Sequence, residues 1–530
     1  MRWFRALWPT HPLHPTRDGG VSGNVAGYPH HVSHSLLVAG TTSDAGKTVI
    51  TTAICRALAR RGMRVAPFKA QNMSNNSMVT RAGAEIGRAQ WIQAVAAGAT
   101  PEPAMNPVLL KPSSDLRSQV VVMGEAAGRL EAQEYAGGRA HLRDAAFAAF
   151  DDLSTRFDAV ICEGAGGIAE INLRPWDYVN LGLAQHGSIP TIVVGDIDRG
   201  GVFASLYGSL AVLDEADQRL VTGFLINRFR GDPTLLTPGL DRLRALTGRP
   251  TYGVVPWADG MWLDSEDALA LDSRPRRPED HSGALRVAVM LLPRISNFTD
   301  IDALTLEPDV DVSFVRGPAG LVDVDLIVIP GTRATVKDLG WLRSRGLDRA
   351  IRAHARAGRP VLGICGGCQM LGSAISDADG VEGESRAGVT GLGLLDVSTT
   401  FEAQKTLRLV EGVELGTEAT GYLIHHGRIR RGAHAEPFLD GARNHTVYGT
   451  MWHGVLESDG FRRAFLTEVA GQVGRRSFRP DPQLSFAAAR LTRIDRLADL
   501  LEQHVDVDAL VDLVRHGVPA GAPFIPSGPR

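Results

Sequence analysis

The sequence predicts an α/β protein: a P-loop domain with a doubly wound parallel sheet, followed by a second α/β domain. Three observations predict it. Leu36-Leu37-Val38-Ala39 is a buried-strand run that enters Gly40-Thr41-Thr42-Ser43-Asp44-Ala45-Gly46-Lys47-Thr48 and then a helix. Short apolar runs then alternate with helical stretches, and each run ends in a polar cluster. A stretch without apolar period, residues 272–283, separates this series from a second one containing Gly-Ile-Cys-Gly-Gly.

The first element is the phosphate loop. Ile50, Ala53, Ile54, Ala57 and Leu58 recur at helical spacing, and Gly62 is placed to stop the helix. Main-chain N–H groups at the start of such a helix face phosphates, and the helix dipole favours their charge. Gly46, Lys47 and Thr48 are the candidate phosphate-binding residues of this loop. Lys47 reaches the terminal phosphates and Thr48 holds Mg²⁺. The glycine that usually opens the loop is replaced by Thr41, with Gly40 one residue earlier.

The next strand, Val65-Ala66-Pro67-Phe68, runs into the polar stretch from Lys69 to Ser77. An open α/β sheet places its ligand groups at such a point. Residues 81–97 read as a helix, and 106–112 as extended chain. The run 157–162 ends at Glu163-Gly164-Ala165-Gly166-Gly167, where a carboxylate can approach Mg²⁺ and phosphates. Further strands end at Asp196-Ile197-Asp198-Arg199 and at Asn227-Arg228, and residues 252–256 close the series. All the polar clusters fall at strand C-termini, so one active edge is expected.

Composition narrows the class. A chain of 530 residues exceeds one core. The net charge of -3 gives no reason to propose nucleic acid or an anionic membrane as partner. No apolar run approaches the roughly 20 residues of a membrane helix. Residues 1–34, rich in His, Pro and Gly, read as a disordered extension without a secretory segment. Four cysteines in so long a chain are no disulfide framework, so a cytoplasmic location is expected. The expected divisions are 35–271, a linker at 272–284, 285–470, and C-terminal helices with a frayed tail at 471–530.

In the second series, strand runs at 286–292, 312–315 and 326–329 precede Val361-Leu362-Gly363-Ile364-Cys365-Gly366-Gly367-Cys368. A strand turning sharply into a helix around a central cysteine is a nucleophile elbow with Cys in place of Ser. The helix N-terminus favours a thiolate there. N–H groups of Gly331 and Gly366 are the candidate oxyanion donors. Cys365 and Cys368 also spell Cys-x-x-Cys, a redox or zinc signature, but no second pair or ligand-spaced histidines accompany it. The nucleophile needs a base, and His425, His426, His445 and His453 are available. The run 446–452 delivers His453, while His425-His426-Gly427 reads as a turn.

These motifs together resemble the CobB/CobQ-type glutamine-dependent amidotransferases of cobalamin biosynthesis. The resemblance is carried by Pro67 to Ser77, Glu163-Gly164-Ala165-Gly166, Asp196 to Leu206, Leu292 to Asp300, the elbow, and Tyr448 to Gly454. It implies a dethiobiotin-synthetase-like ATP domain followed by a class I glutamine amidotransferase domain. It also implies ATP and Mg²⁺ as cofactors, with L-glutamine and a corrinoid as substrates. The implied reaction amidates the b, d, e and g carboxylates of adenosylcobyrinic acid a,c-diamide. By resemblance Cys365 is the nucleophile, His453 its base, and Asn227 an adenine contact, with Thr48 and Glu163 at the metal. Lys69, Asn72, Arg199 and Arg294 are the corrinoid candidates. The subgroup usually lacks the acidic third member of the triad. The chain departs from the family pattern at Cys368, Leu423 and Met451-Trp452. The competing readings are a cobyrinic acid a,c-diamide synthase-like amidotransferase, which has the same two-domain plan but normally a different sequence after Pro-Phe-Lys, and a ParA/MinD-like switch, whose loop carries a signature lysine where Thr42 stands.

Overall fold

The computed structural model describes residues 34–112, 117–131, 139–258, 283–382 and 388–526. The expected extension at 1–34 lies outside them except for its last residue, as does most of the linker. Among the described residues, six parallel strands form the first sheet. Their order is Thr251–Pro256, Val221–Phe229, Thr191–Asp196, Ser35–Gly40, Ala159–Glu163, Val65–Phe68. The phosphate-loop strand is central and buried on both faces, which explains its unbroken apolar run. Helix Lys47–Arg60 packs its Ile50, Ile54, Ala57 and Leu58 into the core beneath.

The stretch expected as one helix from residue 81 begins later, at Arg88. Before it, Ser77–Val79 pairs antiparallel with Glu85–Gly87 around a turn whose Gly83 has φ 78°. Buried bonds from Glu85 to Ser77 and Lys111 hold that hairpin against the local helical pattern. The polar run is likewise not all loop. Gln71–Met73 pairs parallel with Val108–Pro112 and starts a four-stranded side sheet with Arg117–Val122 and Glu125–Glu131.

The second sheet has seven strands in the order Val310–Val315, Leu285–Met290, Leu326–Ile329, Val361–Ile364, Val447–Thr450, Gly441–Asn444, Glu436–Phe438. Its first five strands are parallel. The long antiparallel pair Val397–Glu414 and Thr417–Arg431 leans on the first domain through Lys405, which bonds Glu85. His425, His426 and Gly427 lie inside that second strand, His425 paired with Thr406 and Gly427 with Phe401 and His426 at the register shift between them, so they form no turn.

The C-terminal helices return to the first domain. Phe486–His504 lies along the phosphate-loop helix, burying Ile494, Leu497, Ala498 and Leu501 in the same apolar cluster. Arg56 and Arg60 bond Asp495 at 2.7 and 2.8 Å across this contact. Helix Val507–His516 follows. The tail expected to fray is pinned as far as the described residues reach. Gln218 Nε2 donates to the Ile525 carbonyl at 2.8 Å, and Arg249 donates to the Pro523 carbonyl at 2.7 Å. Leu501→Ala removes a fully enclosed side chain from behind the phosphate loop. It is expected to cost about 2–5 kcal/mol, read as a lower denaturation midpoint together with weaker nucleotide binding.

Candidate active sites

The first site is built where the central strand meets helix Lys47–Arg60. A Cβ at Gly40 would lie 3.0 Å from the Thr42 carbonyl oxygen and 3.1 Å from Lys47 Cδ. Gly40 therefore supplies the close approach that a glycine at the Thr41 position would otherwise supply. Gly46 has φ 95°, and a Cβ there would strike Asn227 Nδ2 at 2.1 Å. Lys47 Nζ donates to the carbonyls of Thr42, Ser43 and Gly166 at 2.8, 3.1 and 2.9 Å. The lysine is thus aimed by the loop and by the glycine turn after Glu163.

Glu163 sits at the end of its strand with 1 % of its surface exposed. Its Oε1 accepts from Thr48 Oγ1 at 2.8 Å and lies 2.9 Å from Lys69 Nζ. Gln93 Nε2 donates to Oε2 at 2.5 Å. A hydroxyl and a carboxylate side by side at the head of a phosphate loop are hard oxygen donors, and they fit Mg²⁺. Asn227 is buried and donates from Nδ2 to the Ala45 carbonyl at 3.0 Å, bracing the loop.

The four corrinoid candidates are not brought together. Lys69 lies inside the site, on Glu163. Asn72 is buried and donates to Gln90 Oε1 at 2.9 Å. Arg199 is open to solvent at the mouth, 3.2 Å from Asp44 and 3.6 Å from Asp196. Arg294 belongs to the other domain, where its N–H donates to Asp338 Oδ2 at 3.1 Å.

The second site forms where Val361–Ile364 turns into helix Gly366–Leu371. Cys365, at the turn, holds φ 50° and ψ −107°, a strained conformation for a side-chain-bearing residue. The neighbouring glycines make it possible: a Cβ at Gly367 would lie 1.9 Å from the Ile329 carbonyl oxygen. Cys368 is fully buried, and burial pushes its thiol well up, so it is a core residue rather than a redox partner. Gly366 packs on Thr332, and Gly331 faces the base: a Cβ there would approach His453 Cε1 to 2.8 Å.

Of the four candidate histidines, His453 alone pairs with a buried carboxylate among the described residues. Its Nδ1 lies 2.7 Å from Asp300 Oδ2, and the Gly454 N–H donates to Asp300 Oδ1 at 2.7 Å. Both side chains are almost fully buried, 1 % and 2 % exposed. Burial disfavours the charged ring, but the Asp300 carboxylate and the Cys365 sulfur outweigh it and push His453 up to about 10. Tyr422 stacks on the imidazole with centroids 5.5 Å apart. The absence of an acidic member, implied by the resemblance, is thus corrected: Asp300 holds the base. It closes the motif that begins at Leu292, and an acid ending a polar motif far upstream was its one sequence signal. His425 and His426 line the same cavity as Cys365, and burial pulls both down to about 4.

Comparison with known proteins follows this division. Residues 36–268 match the model of the CobQ/CobB/MinD/ParA nucleotide binding domain. Residues 286–461 match the CobB/CobQ-like glutamine amidotransferase domain. Cobyric acid synthase of Mycolicibacterium gilvum (strain PYR-GCK) is 61 % identical over 497 residues, 93 % of this chain and 99 % of the relative. The same name is carried by a relative from Mycobacterium ulcerans (strain Agy99), also 61 % identical with the same coverage.

The chain belongs to the cobyric acid synthase family. Cys368, Leu423, Met451 and Trp452 share one apolar cluster, which Cys365 joins.

Asp300→Asn should leave the fold intact and lower glutamine hydrolysis by about 10²–10⁴-fold, because the ring loses its orienting carboxylate. His453 should then titrate below its present value, which NMR of the imidazole reads. The sign for stability follows from the raised value. The His453 contribution is present in full below the ordinary 6.5 and is lost as pH rises through about 10.

Proposed function

We propose that the chain makes adenosylcobyric acid by amidating the b, d, e and g carboxylates of adenosylcobyrinic acid a,c-diamide, using ATP and glutamine. The observation that carries this reading is the pairing of two centres in one chain: a phosphate loop with Thr48 on Glu163, and a cysteine elbow with an Asp300-held His453. The 61 % identity to relatives named cobyric acid synthase supports the choice of substrate.

At the second centre Cys365 attacks the side-chain amide carbon of glutamine. The N–H groups of Gly331 and Gly366 stabilise the oxyanion, and His453 gives its proton to the departing nitrogen. Ammonia leaves, and water releases glutamate from the thioester. At the first centre a corrinoid carboxylate takes the terminal phosphoryl group of ATP, with Lys47 stabilising the transferred charge. Mg²⁺, held by Thr48 and Glu163, would offset phosphate charge there. Ammonia displaces phosphate from the acyl phosphate and leaves the amide. Arg199, open at the mouth, is the residue best placed to meet a corrinoid carboxylate. The free, buried state of all four cysteines suits a cytoplasmic enzyme.

The test is mass spectrometry of the a,c-diamide after incubation with ATP, Mg²⁺ and glutamine. Four successive replacements of hydroxyl by amine are expected, and an unchanged mass refutes the reading. Cys365→Ser should abolish amidation from glutamine and retain amidation from ammonium salts. Loss of both in a folded variant would refute the division of labour. Lys47→Ala should lower synthesis from either nitrogen source by at least about 10²-fold.

A further inference from the structure

A buried seam to which both domains contribute runs beside the second centre. The cavity beside Cys365 and His453 is walled by Lys111 and Gln119 of the first domain and by Arg333, Lys405 and His426 of the second. In that wall two lysines share one carboxylate. Lys111 Nζ lies 2.6 Å from Glu85 Oε1, and Lys405, from the other domain, bonds Glu85 Oε2. Ser77 Oγ donates to Glu85 Oε1 at 2.9 Å and accepts from Lys111 at 2.8 Å. The side chains of Glu85, Lys111 and Lys405 are only 1 %, 6 % and 8 % exposed.

Two ammonium groups on one carboxylate leave an excess positive charge inside the interface. Burial opposes ionisation of Glu85, but the two lysines outweigh it and hold the carboxyl well below the usual range. Burial draws Lys405 down to about 8, against the attraction of Glu85, with Lys111 and Arg333 adding like charge. Lys405 is therefore mostly charged at neutral pH.

Beyond the cluster, toward Glu163, the interior carries amides with unused capacity. Asn72 occupies Gln90 Oε1, and Glu163 occupies Gln93 Nε2. The other atoms of those two amides, Gln90 Nε2 and Gln93 Oε1, have no partner among the described residues, and both side chains are 0 % exposed. A buried donor and a buried acceptor left over on one helix call for a small guest that both accepts and donates hydrogen bonds.

We propose that Lys111, Glu85 and Lys405 form a cation-rejecting gate at the domain boundary, passing neutral ammonia from Cys365 toward Gln90, Gln93 and Glu163 and turning ammonium back. The inference rests on the amidotransferase reading above. Surplus positive charge in a low-dielectric seam repels a cation strongly and leaves a neutral molecule unaffected. Ammonia finds acceptors in Glu85 and Ser77 as it passes. The nitrogen leaves glutamine as NH₃ with a proton from His453, and no proton is gained or lost in transit.

The experiment counts glutamate released against amide formed with glutamine as nitrogen source, and separately measures synthesis from ammonium chloride at alkaline pH. The variants are Lys405→Met and Lys405→Gln, each of which removes the surplus charge and leaves the Lys111–Glu85 pair intact. The full-length wild-type chain should release one glutamate per amide. Both variants should still hydrolyse glutamine and release at least about threefold more glutamate per amide, with ammonium-driven synthesis retained. A one-to-one ratio in both folded variants overturns the gate. So does parallel loss of hydrolysis and ammonium-driven synthesis, which would make the cluster purely architectural. A wild-type chain that forms no amide from either source would instead overturn the amidotransferase reading beneath it.

Discussion

The turn that carries Asn297 onto Ser77 of the other domain and Asp300 onto His453 is the constraint on which the two-domain arrangement turns. Asp300 sits in a single turn, Phe298–Ile301, entered through Asn297 at φ 49°. The same Asn297 holds the other domain. Its Oδ1 accepts from the Ser77 N–H at 3.3 Å, and its Nδ2 donates to the Ser77 carbonyl at 3.3 Å and to the Tyr422 hydroxyl at 3.1 Å. Tyr422 in turn stacks on His453. His453 and the domain interface are therefore fixed by one short stretch of chain. Parting the domains would release the residue that enters the turn, and with it the orientation of the ring. Breaking a buried, hydrogen-bonded ion pair typically costs about 3–5 kcal/mol, which is ample to keep this turn in one conformation.

A second tie runs through helix Arg88–Ala97. At its start Arg88, almost fully buried, reaches Glu457 at 2.7 Å, four residues beyond His453. Five residues along, Gln93 donates to Glu163. At 1.5 Å per residue the two grips lie about 7.5 Å apart along the axis. A rigid rod thus connects the loop carrying the base to the carboxylate of the phosphate site. Arg490 from the C-terminal helix shares Glu457 at 2.9 Å, so the returning helices brace the same joint. This explains why the chain comes back across the first domain after completing the second.

Much of this was legible because it is local. The phosphate loop, the elbow and the strand runs are patterns of neighbouring residues, and the sheet strands appear where apolar runs stand. What was illegible depends on pairing across distance. Residues 81–87 have helical spacing, yet Glu85 is drawn into a hairpin by Lys111 and Lys405, which lie far away in sequence. His425 and His426 looked like a turn because Gly427 follows them, yet strand pairing with 397–414 overrides that local signal. Asp300 lies 153 residues from His453, so no spacing rule connects them. Gly517 and the prolines after it read as a frayed end, but Gln218 and Arg249 supply the partners that hold it.

The family-divergent positions bear on how far packing and chemistry can vary independently. Cys368 lies directly beneath Gly449, where a Cβ would meet its sulfur at 2.7 Å. Leu423, Met451 and Trp452 fill the same cluster from the neighbouring segments. Truncating any one of these side chains would leave a void under the elbow, and enlarging one alone would overfill it. The strained turn of the elbow is enforced by close glycine contacts, of Gly367 with Ile329 and of Gly366 with Thr332. The geometry at Cys365 therefore depends on those backbone contacts and on the apolar cluster that Cys365 itself joins.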